Sequence, residues 1–291
     1  MTRKNLKVHL LIVDPQNDFM GKDDGSPLTE KMTDGTVLSA SLPVKGGISD
    51  MRRGAALIDR IGRRVDDIHV TLDSHHTMHI AHPDMWVDGN GRAPSPFTMV
   101  KADDVKNDIW RPRNPSHRKR VIEYLANLEA SGSYLHMIWP PHCRIGTWGH
   151  NVESTMEAAL TKWERTEMGV VDYITKGSSV WTEHFGGLKA QVSDPVDPST
   201  QLNTNLIKVL QEADIVGFLG EASSHCVRET VLQVADNIGS EHVKKLVLIT
   251  DCMSPVPQAP GGPDFPALAA QFLKDMEARG MTLSTSKEFL A

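Results

Sequence analysis

Near the start of the chain, residues Val8 to Val13 form a near-continuous apolar run that ends at Asp14. A run without polar alternation is typical of a strand that is buried on both faces of a parallel sheet. Similar patterns predict further strands at 68–72, 133–138, 170–174, 215–219 and 245–250. Helical spacing predicts helices at 53–64, 118–130, 153–160 and 203–212, another that begins near Cys226, and a last one at 266–279.

This alternation of strands and helices predicts an α/β fold, with a parallel sheet covered by helices on both faces. We expect a single domain over 1–291, with a long inserted loop region at about 77–131. A loop of that length in a compact domain is usually functional or ordered by its own contacts. A second, independent domain in the same region is the alternative.

Composition and charge argue against several classes of function. The 37 acidic and 31 basic residues give a formal net charge of −6, whereas a nucleic-acid partner would require a basic face. The cysteines Cys143, Cys226 and Cys252 cannot form a disulfide framework, and a reducing cytoplasmic location is the simpler expectation. We expect no signal peptide and no membrane partner, because no apolar run approaches the ~20 residues of a membrane span.

Polar or reactive side chains follow the predicted strands at the edge where ligands bind in this architecture. They are Asp14, Asp73, His75, His142, Lys176 and Cys226. Groups of this kind at successive strand ends are difficult to explain as packing. Their convergence predicts a catalytic site at the carboxyl edge of the sheet.

Cys226 lies between a predicted strand and a predicted helix, after the small-residue turn from Gly220 to Ser223. Backbone N–H groups and the helix dipole favour a thiolate at such a position. A small buried cysteine that packs the helix against the sheet is the alternative. A nucleophilic thiol needs a base and a nearby cation, and Asp14 and Lys176 fit these roles. The turn would aim backbone N–H groups at a developing oxyanion.

The segment after the second predicted strand offers metal ligands. Asp73 and His75 point to one side of an extended strand end, and His79 lies one helical turn beyond His75. A carboxylate with imidazoles suits zinc, iron or manganese, and His142 would complete the set from a remote part of the chain. A rival set is His75, His79 and His82, and a solvated polar loop without metal is a further alternative.

Several neighbouring residues have a less direct interpretation. We expect His76 and His82 to be spectators or to orient the ligands. Cys143 is a rival nucleophile or ligand, although a buried thiol that is turned away from the site is the simpler interpretation. Phe19 and Trp139 are apolar surfaces at strand ends, suited to holding a flat ring, and each fits a core position equally well.

Five segments carry a family resemblance. They are LIVDPQNDF at 11–19, DSH at 73–75 with His79, WPPHC at 139–143, YITKG at 173–177 and GEASSHCV at 220–227. Together they resemble the isochorismatase-like cysteine hydrolases, and they are most similar to the nicotinamidases. The similarity spans residues 8 to about 255 in the family's order, and the metal-ligand positions mark the nicotinamidase branch.

The resemblance implies metal-dependent hydrolysis of the linear amide of nicotinamide, which gives nicotinate and ammonia through a thioester intermediate. This activity would belong to NAD metabolism and pyridine-nucleotide salvage. The catalytic triad would be Asp14, Lys176 and Cys226. The ligands of one divalent metal, with zinc preferred over iron or manganese, would be Asp73, His75, His79 and His142. No organic cofactor is implied.

The resemblance also implies a substrate pocket, an oxyanion hole and an overall fold. Phe19 and Trp139 would line the ring pocket, and the pyridine nitrogen would meet the metal. A cis peptide before Ala222 would let the backbone N–H groups of Ala222 and Cys226 form the oxyanion hole. The implied fold is a three-layer α/β/α sandwich with a six-stranded, mostly parallel sheet, usually assembled into homo-oligomers.

The chain departs from the family pattern beside the nucleophile. Ser223 and Ser224 replace the usual Thr-Asp pair, and Glu221 stands where an apolar residue is common. An acid there would disfavour an oxyanion unless its side chain points away. These departures leave three alternatives to nicotinamide hydrolysis: another small amide or a ureido or N-carbamoyl substrate, a metal-bound water as the nucleophile, and a non-catalytic binding module.

Overall fold

The computed structural model describes residues 6–132, 134–258 and 262–291. The strands are β1 (Val8–Val13), β2 (Thr29–Lys31), β3 (Val37–Ser39), β4 (Asp67–Asp73), β5 (Trp86–Val87), β6 (Arg111–Pro112), β7 (Asp172–Lys176), β8 (Ile215–Gly220), β9 (Leu246–Ile249) and β10 (Thr282–Ser284). The α-helices are α1 (Gly47–Ile61), α2 (Ala102–Lys106), α3 (Arg118–Ser131), α4 (Ser154–Glu167), α5 (Thr204–Glu212), α6 (Cys226–Asn237) and α7 (Phe265–Ala278).

The centre of the fold is a six-stranded sheet in the order β10-β9-β8-β1-β4-β7. Every neighbouring pair of strands in it is parallel. All residues of β1 are buried, as the apolar run predicted for a strand that is covered on both faces. The α/β fold with a six-stranded parallel sheet is therefore confirmed.

The predicted strand at 133–138 is wrong, because this segment does not join the sheet. Ser133 lies outside the described residues, and Met137 forms an isolated antiparallel bridge with Met99. The amide of Val100 donates to the carbonyl of His136, so residues of the insertion occupy the backbone groups that a sheet neighbour would need. The sixth strand is β10 instead, which pairs with β9 near the end of the chain.

Helices cover both faces of the sheet. On one face, α1 and α4 pack against each other, and their buried side chains share a core with β1 and β4. On the other face, α5, α6 and α7 bury apolar residues such as Leu210, Val231 and Phe272 in a second core. Within the described ranges, no helix has the length and apolar character needed to cross a membrane.

The inserted region after β4 has a hydrophobic cluster of its own. Trp86, Val105 and Leu125, from β5, α2 and α3, are buried together in it, and β5 and β6 form a small antiparallel pair. These contacts order the region, which the sequence presented mainly as a loop rich in proline, glycine and aspartate. The single-domain organisation over 1–291 stays a prediction.

The parallel register brings the polar strand ends to one edge of the sheet. Asp73 and Lys176, the last residues of β4 and β7, are directly paired, and Asp14 follows β1 between β4 and β8. Cys226 begins α6 after the turn that follows β8. The fold therefore positions four predicted site residues before any side-chain contact is considered.

Candidate active site

Lys176 lies at the centre of the polar cluster, with its side chain 1 % exposed. Its Nζ atom is 2.9 Å from Asp14 Oδ2 and 3.0 Å from Asp73 Oδ1. It also donates to the carbonyl of His184 at 3.0 Å and lies 3.7 Å from Cys226 Sγ. The structure thus brings the three predicted triad residues together around one cation, which Asp73 shares.

The backbone at Asp14 turns its carboxylate into the cluster. Asp14 has a φ of 45°, in the left-handed region, and its amide donates to both the carbonyl and the hydroxyl of Thr71 at 3.1 Å. The Thr71 hydroxyl in turn donates to Asp14 Oδ1 at 2.6 Å. Asp14 is fully buried, so these contacts and Lys176 define the position of its carboxylate.

Burial and charge set the protonation of the triad. Burial disfavours the ammonium of Lys176, but the carboxylates of Asp14 and Asp73 raise its pKa well above the usual value. Burial raises the pKa of Asp14, against the opposing effect of Lys176. Burial also raises the pKa of the Cys226 thiol well above its usual value, and Lys176 again acts in the opposite direction. The thiol therefore retains its proton until a base removes it.

The turn before Cys226 presents backbone N–H groups. The peptide bond between Glu221 and Ala222 is cis, as the resemblance implied. The amides of His225 and Val227 both donate to the carbonyl of Ala222. For the amides of Ala222 and Cys226, no acceptor occurs among residues 6–132, 134–258 and 262–291. These two N–H groups are the ones that the resemblance implied for an oxyanion hole.

The unusual residues beside the nucleophile face away from the cavity. Glu221 is fully buried, and its Oε2 accepts the amide of Ser254 at 3.2 Å. The amide of Ser223 donates to the carbonyl of Ser254, and the Ser224 hydroxyl accepts the amide of Val256 at 3.1 Å. All three residues therefore tie the turn to the segment after β9, and the acid does not oppose an oxyanion.

Asp73, His75 and His142 form a buried cluster whose candidate ligand atoms all lie within 4.8 Å of one another. Asp73 Oδ2 is 2.9 Å from His75 Nε2 and 3.3 Å from His142 Nε2. The Nδ1 atoms of the two rings lie 3.1 and 2.8 Å from the carbonyls of Gly177 and Pro140. A carbonyl that accepts from Nδ1–H leaves Nε2 free to bind a metal.

The carboxylate of Asp73 and the neighbouring cationic groups stabilise each other's charged forms. Burial disfavours the charge of Asp73, but His75 and Lys176 together hold its pKa well below the usual value. Burial likewise disfavours protonated His75, but Asp73 raises the pKa of the imidazole above its usual value. Asp73 therefore remains a carboxylate, the form that binds a divalent cation.

Two further histidines lie against this cluster. The ring of His79 is 4.3 Å from that of His75, and the ring of His82 is 5.2 Å from His75 and 5.4 Å from His142, measured between centroids. The Nε2 atoms of His79 and His82 are both buried without a hydrogen-bond partner in the described part of the chain. A buried imidazole nitrogen without a partner can bind a metal where it carries a lone pair. His76, by contrast, is exposed.

A small cavity of about 30 Å³ lies between the nucleophile and the cluster of Asp73, His75 and His142. Its lining includes Cys226, Asp73, His142 and both predicted ring-pocket residues, Phe19 and Trp139. Cys143 is not part of that lining, because its buried thiol donates to the carbonyl of Gly149 at 3.9 Å.

The cavity lining also includes residues that the sequence did not single out, among them Glu183, Phe185 and His225. Burial raises the pKa of the Glu183 carboxyl to about 7, and its Oε1 has no hydrogen-bond partner within the described ranges. His225 immediately precedes the nucleophile, which was an available signal. Glu183 and Phe185 follow β7 by several residues with no motif to mark them, so only the folded chain reveals their position.

Comparison with known proteins supports the fold. No protein-family model and no curated protein sequence matches the chain. The yeast nicotinamidase bound to the inhibitor nicotinaldehyde is 18 % identical with a TM-score of 0.61, over 96 % of this chain and 99 % of that chain. A pyrazinamidase of Pyrococcus horikoshii in complex with zinc is 18 % identical with a TM-score of 0.50, over 96 % and 99 % of the two chains.

An isochorismatase-like hydrolase from Alkaliphilus metalliredigens has the same architecture, with 13 % identity, a TM-score of 0.50, and coverage of 98 % of this chain and 97 % of that chain. The chain therefore has the isochorismatase-like hydrolase fold, and nicotinamidases are among the proteins that share it. The resemblance seen in the sequence is confirmed at the level of the fold.

Proposed function

We propose that this protein is a metal-dependent cysteine amidohydrolase that converts nicotinamide to nicotinate and ammonia. The observation that carries the proposal is the position of Lys176, which lies between two buried carboxylates and 3.7 Å from the thiol of Cys226. A nucleophile, a base and a cation thus meet beside a cavity that has aromatic walls. This set is what acyl transfer through a covalent intermediate requires.

The proton movements follow from the contacts. Cys226 attacks the carboxamide carbon while Asp14 accepts the thiol proton, because the raised thiol pKa prevents free ionisation. Asp14 then passes this proton to the leaving ammonia, and a water molecule hydrolyses the thioester to the carboxylate. Lys176 stays protonated throughout and stabilises the anionic forms of its neighbours. The amides of Ala222 and Cys226 stabilise the oxyanion.

The proposed metal site rests on Asp73, His75 and His142, the tight cluster beside the cavity. A bound divalent ion would supply a Lewis-acid contact for an electron-pair donor of the substrate. Zinc is the proposed ion, since the donor set suits it and a pyrazinamidase with the same fold is described in complex with zinc. Phe19 and Trp139 would hold the flat ring between the metal site and the nucleophile.

The variant Cys226→Ala tests the mechanism. It should lose release of ammonia from nicotinamide while retaining bound metal, because the thiol is the nucleophile and is not a metal ligand. Cys143→Ala is the matched control, since this second buried thiol lies outside the cavity and should leave turnover unchanged. Parent-rate turnover by Cys226→Ala or Cys226→Ser would show that another group is the nucleophile.

Glu183 favours a second candidate, hydrolysis of a ureido or N-carbamoyl compound or of another small amide. An unpaired buried carboxylate is costly, and it is stabilised by N–H donors, which a ureido group carries in addition to its scissile bond. A panel of amides, with ammonia release as the assay, separates the candidates. Faster turnover of a ureido compound, lost in Glu183→Gln while nicotinamide turnover remains, would favour the second.

A further inference from the structure

Two orphaned imidazole nitrogens lie beside the proposed metal site, and they are not equivalent. His79 and His82 are both fully buried, and each Nε2 lacks a hydrogen-bond partner among the residues that the structure describes. A neutral imidazole carries its proton on one nitrogen and a lone pair on the other. The hydrogen bond at Nδ1 therefore decides whether Nε2 can bind a metal.

At His79, the Nδ1 atom accepts the amide of Ala81 at 3.2 Å. A backbone N–H can only donate, so the lone pair of the ring is at Nδ1 and the proton is at Nε2. The Nε2 atom of His79 consequently has no lone pair to offer a cation. Its ring contacts those of His75 and His82.

At His82, the arrangement is reversed. Its Nδ1 lies 3.2 Å from the carbonyl of His76, which can only accept, so Nδ1 carries the proton and Nε2 the lone pair. His75 and His142 have the same arrangement, because their Nδ1 atoms also face backbone carbonyls. A carbonyl that accepts from Nδ1–H in this way is typical of metal-binding histidines.

The local backbone explains how His82 reaches the cluster. Its amide donates to the carbonyl of His79 at 2.9 Å, which closes a turn that folds the chain back after β4. The ring of His82 then lies beside both His75 and His142, with centroid distances of 5.2 and 5.4 Å, so that the three rings form a triangle.

We propose that His82, rather than His79, is the remaining protein ligand of this metal site. The complete set is then one carboxylate and three imidazoles, suited to zinc or another borderline divalent ion. His79 is a positioning residue that holds the amide of Ala81 and packs against His75. The inference rests on the proposed metal site, and it does not depend on which amide the enzyme hydrolyses.

The test compares His82→Asn with His79→Asn in the full chain, by competition for Zn²⁺ with a chelator. In each variant an atom of the asparagine amide replaces Nδ1 in the native hydrogen bond, and Nε2 is removed. We expect His82→Asn to weaken zinc affinity by at least ~10- to 100-fold, because a loss of that size is typical even when only a residue hydrogen-bonded to a metal ligand is changed. His79→Asn should bind zinc with an affinity close to that of the parent. The visible absorption of bound Co²⁺ should change only in His82→Asn.

Loss of affinity in His79→Asn, or parent affinity in His82→Asn, would overturn the proposal. Thermal unfolding of each variant in chelator shows whether the apo fold is retained. If His82→Asn does not fold, long-range ¹H–¹⁵N NMR of the parent reads the tautomers directly. In the zinc-loaded protein we expect the imidazole N–H proton at Nδ1 in His82 and at Nε2 in His79. The opposite tautomers would refute the inference. These readouts measure metal binding, so they stand even if nicotinamide is not the substrate.

Discussion

The protonation state of Glu221, in the turn before the nucleophile, can be tested through the pH dependence of stability. Its Oε2 accepts the amide of Ser254 at 3.2 Å, while its Oε1 and Asp50 Oδ2 are buried without other hydrogen-bond partners in the described ranges. Burial raises the pKa of Glu221 well above its usual value of 4.5, and the neighbouring charge of Asp50 raises it further. The folded protein therefore holds a proton on Glu221 that the unfolded chain releases near pH 4.5.

The sign of the pH dependence follows from this difference. Above the unfolded pKa, the unfolded chain has lost the proton and the folded protein has kept it, so the free energy of unfolding falls as pH rises. One proton corresponds to ~1.4 kcal/mol per pH unit until the folded pKa is reached. In Glu221→Gln the amide N–H₂ donates to Asp50 and its oxygen accepts from Ser254, with no titration. Relative to the parent, this variant should therefore gain stability as pH rises from 5 to 7, by at most ~1.4 kcal/mol per pH unit while Glu221 keeps its proton in the folded protein.

Urea unfolding at half-unit pH steps, in chelator to remove metal effects, measures this gain. Glu241→Gln is the control, because it neutralises an exposed carboxylate and should show no comparable trend. Ammonia release should remain near the parent rate in Glu221→Gln, since Glu221 faces Ser254 and does not line the cavity. A stability difference that stays constant from pH 5 to pH 7, or that falls as pH rises, would refute the protonated state of Glu221.

Substitutions at three further residues test the proposed site. Asp14→Asn should lower kcat by ~10²–10⁴ with metal content unchanged, since the base is lost; parent-level kcat would contradict its role. Lys176→Met should lower the free energy of unfolding by ~3–5 kcal/mol, measured in urea, because it leaves buried carboxylates uncompensated; a smaller effect would mean that those carboxylates are protonated. Trp139→Ala should raise KM for nicotinamide by ~10-fold or more, whereas Trp139→Phe should keep KM near the parent value, because a phenyl ring can still pack against the substrate ring. Equal increases of KM in the two variants would exclude such packing.

The strand ends were predictable because each buried strand of a parallel sheet appears in the sequence as a short apolar run that ends at a polar residue. The apolar run of β1 and the residues that follow β4, β7 and β8 placed the polar groups at one edge. The segment at 134–138 was not predictable in the same way. Its apolar residues resemble a strand, but its pairing depends on the insertion, where Val100 and Thr98 bond with its backbone. The three residues of β10 are too few to produce a pattern.

The histidines show a different limit of sequence interpretation. Spacing selects residues that can reach one side of a strand end, and on that basis His79 was the expected ligand and His82 a spectator or an orienting residue. Their hydrogen bonds to Ala81 and His76 separate them, because these bonds fix opposite tautomers. A tautomer depends on the course of the backbone around the ring, which spacing does not encode.

Asp73 links the proposed metal site to the nucleophile. Its Oδ2 faces His75 and His142, while its Oδ1 lies 3.0 Å from the Lys176 ammonium, which in turn contacts Asp14 and Cys226. A cation bound at this site would partly neutralise the negative charge of Asp73, the same carboxylate that stabilises the Lys176 ammonium. The ammonium would then act more strongly on Asp14 and the thiol, lowering the pKa of Cys226. Through Asp73, the proposed metal site and the triad would therefore form one electrostatic unit, in which a bound metal would tune the nucleophile as well as the substrate.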